Sequence, residues 1–151
     1  MLVSCLFPVL ACAAPAPDPC SVMDRETLAA LNLGDADTKV EHKTVAATAH
    51  APAQRVGMCT FKPRVGASPT LSVMVLALPA NTPPARPVCT DNAVKAVGMA
   101  SCFGVARGTM VSVSLVSPVA TFAALNATLR ARFAQVIEGA AGPAARASAP
   151  K

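Results

Sequence analysis

Six cysteines, two histidines and a short acidic run are the residues of this 151-residue chain whose types could carry chemistry. The cysteines are Cys5, Cys12, Cys20, Cys59, Cys89 and Cys102. Zinc sites draw ligands from close pairs such as C-x2-C, and redox dithiols from C-x-x-C. Among the last four cysteines no two lie nearer than thirteen positions, so neither metal nor redox chemistry is expected. Disulfide bonding is. Of the three connectivities open to four cysteines, short separations favour Cys20 with Cys59 and Cys89 with Cys102. By loop-closure entropy these contribute roughly 4 and 3 kcal/mol.

His42 and His50 lie in or beside one expected strand, with no nucleophile motif, H-E-x-x-H or phosphate-cradling glycine loop to work with. They read as surface polar residues, and no catalytic residue is expected. Asp35, Asp37 and Glu41 lie close in sequence but lack the ligand count and spacing of a calcium loop, so they read as a solvated turn. No metal or cofactor is expected. The sequon Asn126-Ala127-Thr128 falls inside an expected helix and matters only in a secreted eukaryotic chain.

The first two cysteines belong to a different context. LVSCLFPVL, residues 2 to 10, is apolar but too short to span a bilayer, and Pro8 would interrupt a spanning helix. With Ala11 to Ala14 behind it, the run reads as a signal-peptide core with a small-residue cleavage site over 1 to 13. No Lys or Arg precedes Arg25, so a basic leader segment would have to lie upstream. Ala11-Cys12-Ala13 fits signal-peptidase cleavage and a soluble product. Val9-Leu10-Ala11-Cys12 instead fits a lipobox that would lipidate Cys12, and this is the preferred frame. Residues 14 to 19, rich in proline, would then be an extended tether. Both frames place the domain in an oxidising compartment, where two disulfides are expected.

The remaining chain must position whatever surface the protein uses. It has no Trp or Tyr and only five Phe, so stacking platforms for nucleic acid are scarce and nucleic acid is not an expected partner. The formal charge of +5 is uneven, six acids and four bases in 1 to 61 against two acids and nine bases in 62 to 151. The bases are scattered, which reads as a solvated surface. Asp24 is placed to cap a helix over about 24 to 32, with Gly34 as its stop. Strands are expected over 39 to 48, 56 to 63 and from Thr70. In the second of these, Val56, Met58, Thr60 and Lys62 share one face and Gly57, Cys59 and Phe61 the other. The proline-dense segment 80 to 89 reads as a surface loop, and Thr90 or Asp91 as the cap of a short helix ending near Gly98. Two more strands follow, CFGVARG and TMVSVSLVS, turning near Arg107-Gly108. Pro118 then opens a long helix with Phe122, Leu125, Leu129, Phe133 and Val136 on its apolar face, stopped at Gly139. Residues 139 to 151 read as a disordered tail.

This order gives an α+β domain over 20 to 138: an antiparallel sheet of about five strands with a short N-terminal and a long C-terminal helix packed on it. The leader, the Pro-rich tether and Asp18-Pro19-Cys20 opening a helix that closes on Leu33-Gly34 resemble the small actinobacterial-type envelope lipoproteins. Cys59-Thr60-Phe61, with Phe61 where Trp or Tyr is more usual, and the Val97-Gly98-Met99-Ala100 block before Cys102 resemble elements of the same proteins. The resemblance covers about residues 18 to 138. It implies an envelope location, held to the membrane by a lipid anchor or released as a periplasmic or secreted protein. The expected role is a non-catalytic domain binding an envelope protein or surface component. The alternative is an inhibitor of a hydrolase presenting the loop 80 to 88.

Overall fold

The computed structural model describes residues 17–49, 53–79 and 81–146. Cys5 and Cys12, the proposed cleavage sites, His50 and the first half of the proposed tether lie outside them. The elements run α1 (Arg25–Ala30), β1 (Ala36–Val45), β2 (Gln54–Pro63), β3 (Thr70–Ala77), β4 (Ala85–Val94), β5 (Val97–Ala106), β6 (Thr109–Pro118) and α2 (Val119–Arg146). The architecture is α+β, with six antiparallel strands in the order β1-β2-β3-β6-β5-β4. Each half is a three-stranded meander, and the halves join where Val73 of β3 lies opposite Val113 of β6. A pseudo-two-fold through that pair exchanges β2 with β5.

The sixth strand corrects the sequence reading. Residues 85 to 94, expected as loop and then helix, form β4, and its hairpin to β5 turns on Lys95 and Ala96, with Lys95 at φ 54°. Asp91 and Asn92 disfavour strand and favour caps, but pairing with β5 outweighs that local preference. The hydrolase-inhibitor reading therefore loses much of its loop, since Ala85 to Val88 is strand. What remains of the Pro-rich connection joins the end of β3 to the start of β4 past β6 and β5, tied by Leu78 N–H donating to the Gly108 carbonyl at 2.7 Å.

Asp24 caps α1 as expected. Its carboxylate accepts from the Thr27 N–H at 2.7 Å and from the Thr27 hydroxyl at 2.8 Å. The stop comes two residues before Gly34. Asn32, at φ 60°, takes the left-handed position, and Leu33 N–H reaches back to the Leu28 carbonyl at 2.8 Å. Asparagine tolerates that conformation because its short polar side chain can satisfy local groups. β1 starts at Ala36, so Asp37, expected in a turn, is a strand residue.

α2 continues through Gly139 to Arg146 rather than stopping there, which removes the first part of the expected tail; residues 147–151 lie outside the described region. Buried Val136, Ile137 and Ala140 flank the glycine, and their burial outweighs its helix cost of about 1 kcal/mol. Phe122, Leu125, Leu129 and Phe133 are buried against the sheet as the spacing predicted. Pro118 closes β6, and the helix opens one residue later.

Both disulfides form with the preferred connectivity, Cys20–Cys59 and Cys89–Cys102. They are rooted in one row across the sheet, Val40–Cys59–Val73–Val113–Cys102–Cys89, and the pseudo-two-fold exchanges Cys59 with Cys102. Each bridge thus locks the middle strand of its own half, one to the N-terminal segment and the other to its neighbour in the hairpin. Pro19, expected as tether, is buried close over Gly57, so the fold begins before Cys20.

Candidate functional site

A side chain's place on the sheet follows from two close approaches. A Cβ on Gly98 would lie 2.1 Å from the Phe122 ring, and one on Gly104 would lie 2.1 Å from Ile137 Cδ1. Both glycines let α2 rest directly on β5. The residues between them on that side, Ala100 and Cys102, are buried with Cys59, Val73, Val113 and Leu115. Val22, Met23, Leu31 and Leu33, from the segment pinned by Cys20–Cys59, join the same core. Strand side chains alternate between faces, so Val97, Met99, Ser101 and Phe103 point the other way. Among the described residues no helix covers that second face.

The strand registers assemble two rows there. One reads Thr60–Ser72–Ser114–Ser101–Thr90, five hydroxyl side chains across five strands, with Lys39 of β1 at its end. Ser101 and Ser114 share a hydrogen bond at 3.2 Å. The next reads Met58–Met74–Ser112–Phe103–Val88, with Glu41 at its end. Four of the chain's six methionines, Met58, Met74, Met99 and Met110, lie on this face. Methionine is flexible and polarisable, and it recurs at surfaces that adapt to a partner.

Exposure separates this face from an ordinary solvated sheet surface. Val88 is 56% exposed, Met99 54% and Phe103 40%, and Val94 and Val97 extend the patch along the same hairpin. Two such apolar groups, Val88 with Phe103 and Met99 with Val94 and Val97, flank the Ser101–Thr90 pair on one hairpin, and exposed apolar clusters mark interaction surfaces. Charge is confined to one side. No Asp, Glu, Lys or Arg occupies an open-face position of β3, β6 or β5, or of β4 from Val88 onward. On β1, by contrast, Asp37, Lys39, Glu41 and Lys43 alternate in sign at successive open-face positions, with Lys62 beside them on β2. Desolvating a surface without charges costs little, and interface centres are depleted of charge for that reason.

In comparisons with protein-family models, curated proteins and solved structures, nothing matches this chain.

Among the described residues, those singled out for chemistry form no catalytic or metal-binding cluster. His42 is exposed on β1 opposite Gly57. Asp37 pairs with Arg64 at 3.1 Å, and Glu41 with Lys39 at 2.7 Å. Hydrogen bonding from Lys39, then its charge, hold the Glu41 carboxyl below its ordinary value, and the same pair raises Lys39. Among the described residues no three His, Cys, Asp or Glu side chains could share a metal ion. A depression of about 240 Å³ lined by Asp37, Lys39, Glu41, Thr60 and Lys62 falls short of the roughly 300–1,000 Å³ of ligand pockets. Asn126 of the sequon is buried in α2, where its side-chain oxygen accepts from Arg130 Nε at 3.2 Å. Arg130 also pairs with Asp91 of β4. That asparagine serves the helix–sheet contact. No helix among the described residues is long and apolar enough to cross a membrane.

Sequence reasoning placed Met58 and Thr60 on a shared face but missed the surface as a whole. The rows exist only because β3 pairs with β6 and β4 is a strand. The available signal lay in the preferred disulfide: Cys89 and Cys102, if directly opposed on a hairpin, put the turn midway, at residues 95 and 96.

Proposed function

We propose that this is an exported, non-catalytic domain of the cell envelope, anchored through a lipid on Cys12, that binds a protein partner through the uncovered sheet face. The observation that carries the binding role is a methionine-bearing face whose charges are confined to β1 and its neighbour Lys62, with Val88 exposed on β4 and Met99 and Phe103 on β5, opposite a core locked by two disulfides. The bridges fit an oxidising environment. The leader and the resemblance to small envelope lipoproteins support the location and the anchor.

A photo-crosslinking residue tests the role. With benzophenone side chains replacing Phe103, on the open face, and Ala134, exposed on α2, irradiation of the native envelope fraction should give protein adducts from position 103 and none from 134. Adducts from neither position, or from 134 alone, would overturn the reading. Intact mass from the same fraction tests the anchor: an acylated chain starting at Cys12 supports it, and an unmodified chain starting at Ala14 refutes it.

A further inference from the structure

We infer that the partner on the open face is a second copy of this chain, packed sheet to sheet about a two-fold axis that lies between the sheets and runs perpendicular to the strands. The inference rests on the binding role given above and names its occupant.

Charge order carries it. Along β1 the open-face positions read Asp37, Lys39, Glu41, Lys43, that is minus, plus, minus, plus. A two-fold perpendicular to the strands lays β1 over its copy in the opposite direction, so the series meets its own reverse. Asp37 then faces the copy's Lys43, and Lys39 faces the copy's Glu41, each contact occurring twice. A series of one sign, or one that is palindromic in sign, would instead meet like charge. Face-packed sheets lie about 10 Å apart, a gap that a lysine and a glutamate side chain reaching toward each other span. Glu41 and Lys39 already pair within one chain, so association joins two such pairs into a network of four charges.

The same operation matches the rest of the face. Its centre falls between the hydroxyl row and the methionine row, laying Ser72 of one copy over Met74 of the other, Ser101 over Phe103 and Ser114 over Ser112. Val116 meets the copy's Met110 and Thr70 its Leu76, while Met99 lies toward Val105, which is buried within each chain. No charge is buried away from β1 and its neighbour Lys62. A two-fold parallel to the strands does the reverse, placing charged β1 on apolar β4. Area agrees as well. Six strands about 4.8 Å apart and eight to ten residues long at about 3.4 Å per residue outline roughly 900 Å², less the end of the face at Val56 and Val105, which is already buried within the chain, against about 800 Å² per partner in a standard interface. A two-fold contact is self-complementary by construction and is the commonest symmetry of soluble oligomers.

Sedimentation equilibrium on the purified, oxidised protein tests this. The wild type should dimerise reversibly below about 100 µM, the range of weak specific association. Lys39→Glu alone and Glu41→Lys alone should each weaken self-association at least about tenfold, because each places like charges across the interface twice. An equimolar mixture of the two variants should recover a heterodimer at near wild-type strength. Ser114→Glu, central on the face, should abolish the dimer while leaving the far-UV spectrum and thermal midpoint of the monomer unchanged. A monomeric wild type at 100 µM overturns the inference. So does a dimer indifferent to Ser114→Glu, which would mean edge-to-edge pairing through β1 or β4, and so does a mixture no stronger than its components. Crosslinks from Phe103 only to other proteins would keep the binding role and refute the second copy.

Discussion

Gly98→Ala puts the packing account to a quantitative test. The Phe122 ring lies over Gly98 so closely that a Cβ there would sit 2.1, 2.5 and 2.6 Å from three ring atoms. Normal carbon–carbon contact is about 3.5–4.0 Å, so the ring and its stretch of α2 must move by more than an ångström. The ring is a stiff body anchored in the core beside Leu125 and Leu129, and overpacking of this kind costs about 1–3 kcal/mol. Alanine returns some 0.5–1 kcal/mol by restricting the unfolded chain. The net expectation is a loss of about 1–2 kcal/mol, or about 4–8 °C in Tm for a domain of this size. Gly104→Ala is the internal control. Its closest clash, also 2.1 Å, is with the terminal methyl Cδ1 of Ile137, which can rotate away, so the cost should be under about 1 kcal/mol. Urea unfolding of both variants supplies the numbers. Coupling is tested by Gly98→Ala in a Phe122→Leu background, where the penalty should shrink by at least half. A neutral or stabilising Gly98→Ala, or a Gly104→Ala that costs more, would refute the argument that α2 is seated by these glycines.

Removal of the Cys20–Cys59 bridge by paired serine substitution should cost about 4 kcal/mol and removal of Cys89–Cys102 about 3; the order is checked by thermal unfolding under non-reducing conditions. Asp24→Ala should cost about 1 kcal/mol near neutral pH through loss of the α1 cap. Burial opposes ionisation of Asp24, but hydrogen bonds from the Thr27 N–H and hydroxyl, with the Arg132 charge, outweigh it and lower its pKa. A folded-state pKa below the unfolded one stabilises above the unfolded value and is lost as pH falls through the folded one, so the difference between wild type and variant should close below about pH 4 in pH-dependent urea titrations. Lys39→Ala should let the Glu41 pKa rise toward its ordinary value, read by carboxyl NMR, with no measurable change in monomer stability because the pair lies at the surface, Lys39 exposed and Glu41 half-buried.

The faces of β2, the apolar stripe of α2 and both disulfides were legible in the sequence because each rests on a local rule: alternation, helical spacing and short loop closure. The N-cap at Asp24 was legible for the same reason. Gly34 and Gly139 misled because a glycine signals a stop only when nothing nearby does better, and Asn32 and the burial of Val136 and Ile137 did. β4 was hidden by Pro87, Asp91 and Asn92, which locally favour loop and cap, while the partner that makes it a strand lies across a turn. The candidate site was the least legible part. Ser72 and Ser114 are 42 residues apart and adjoin only through the β3–β6 register, and no periodicity within one strand reports which strand will lie beside it.

The open face itself is tested most directly by its methionines. In a protein labelled at the methionine methyl carbons, Met58, Met74, Met99 and Met110 report from that face, while Met23 reports from the core, where it is 4% exposed. Raising the concentration from about 5 to about 500 µM across the expected association range should shift or broaden the four face resonances together and leave Met23 in place. Four unmoved face methyls, or a change confined to Met23, would contradict the claim that copies of this protein associate through the uncovered sheet.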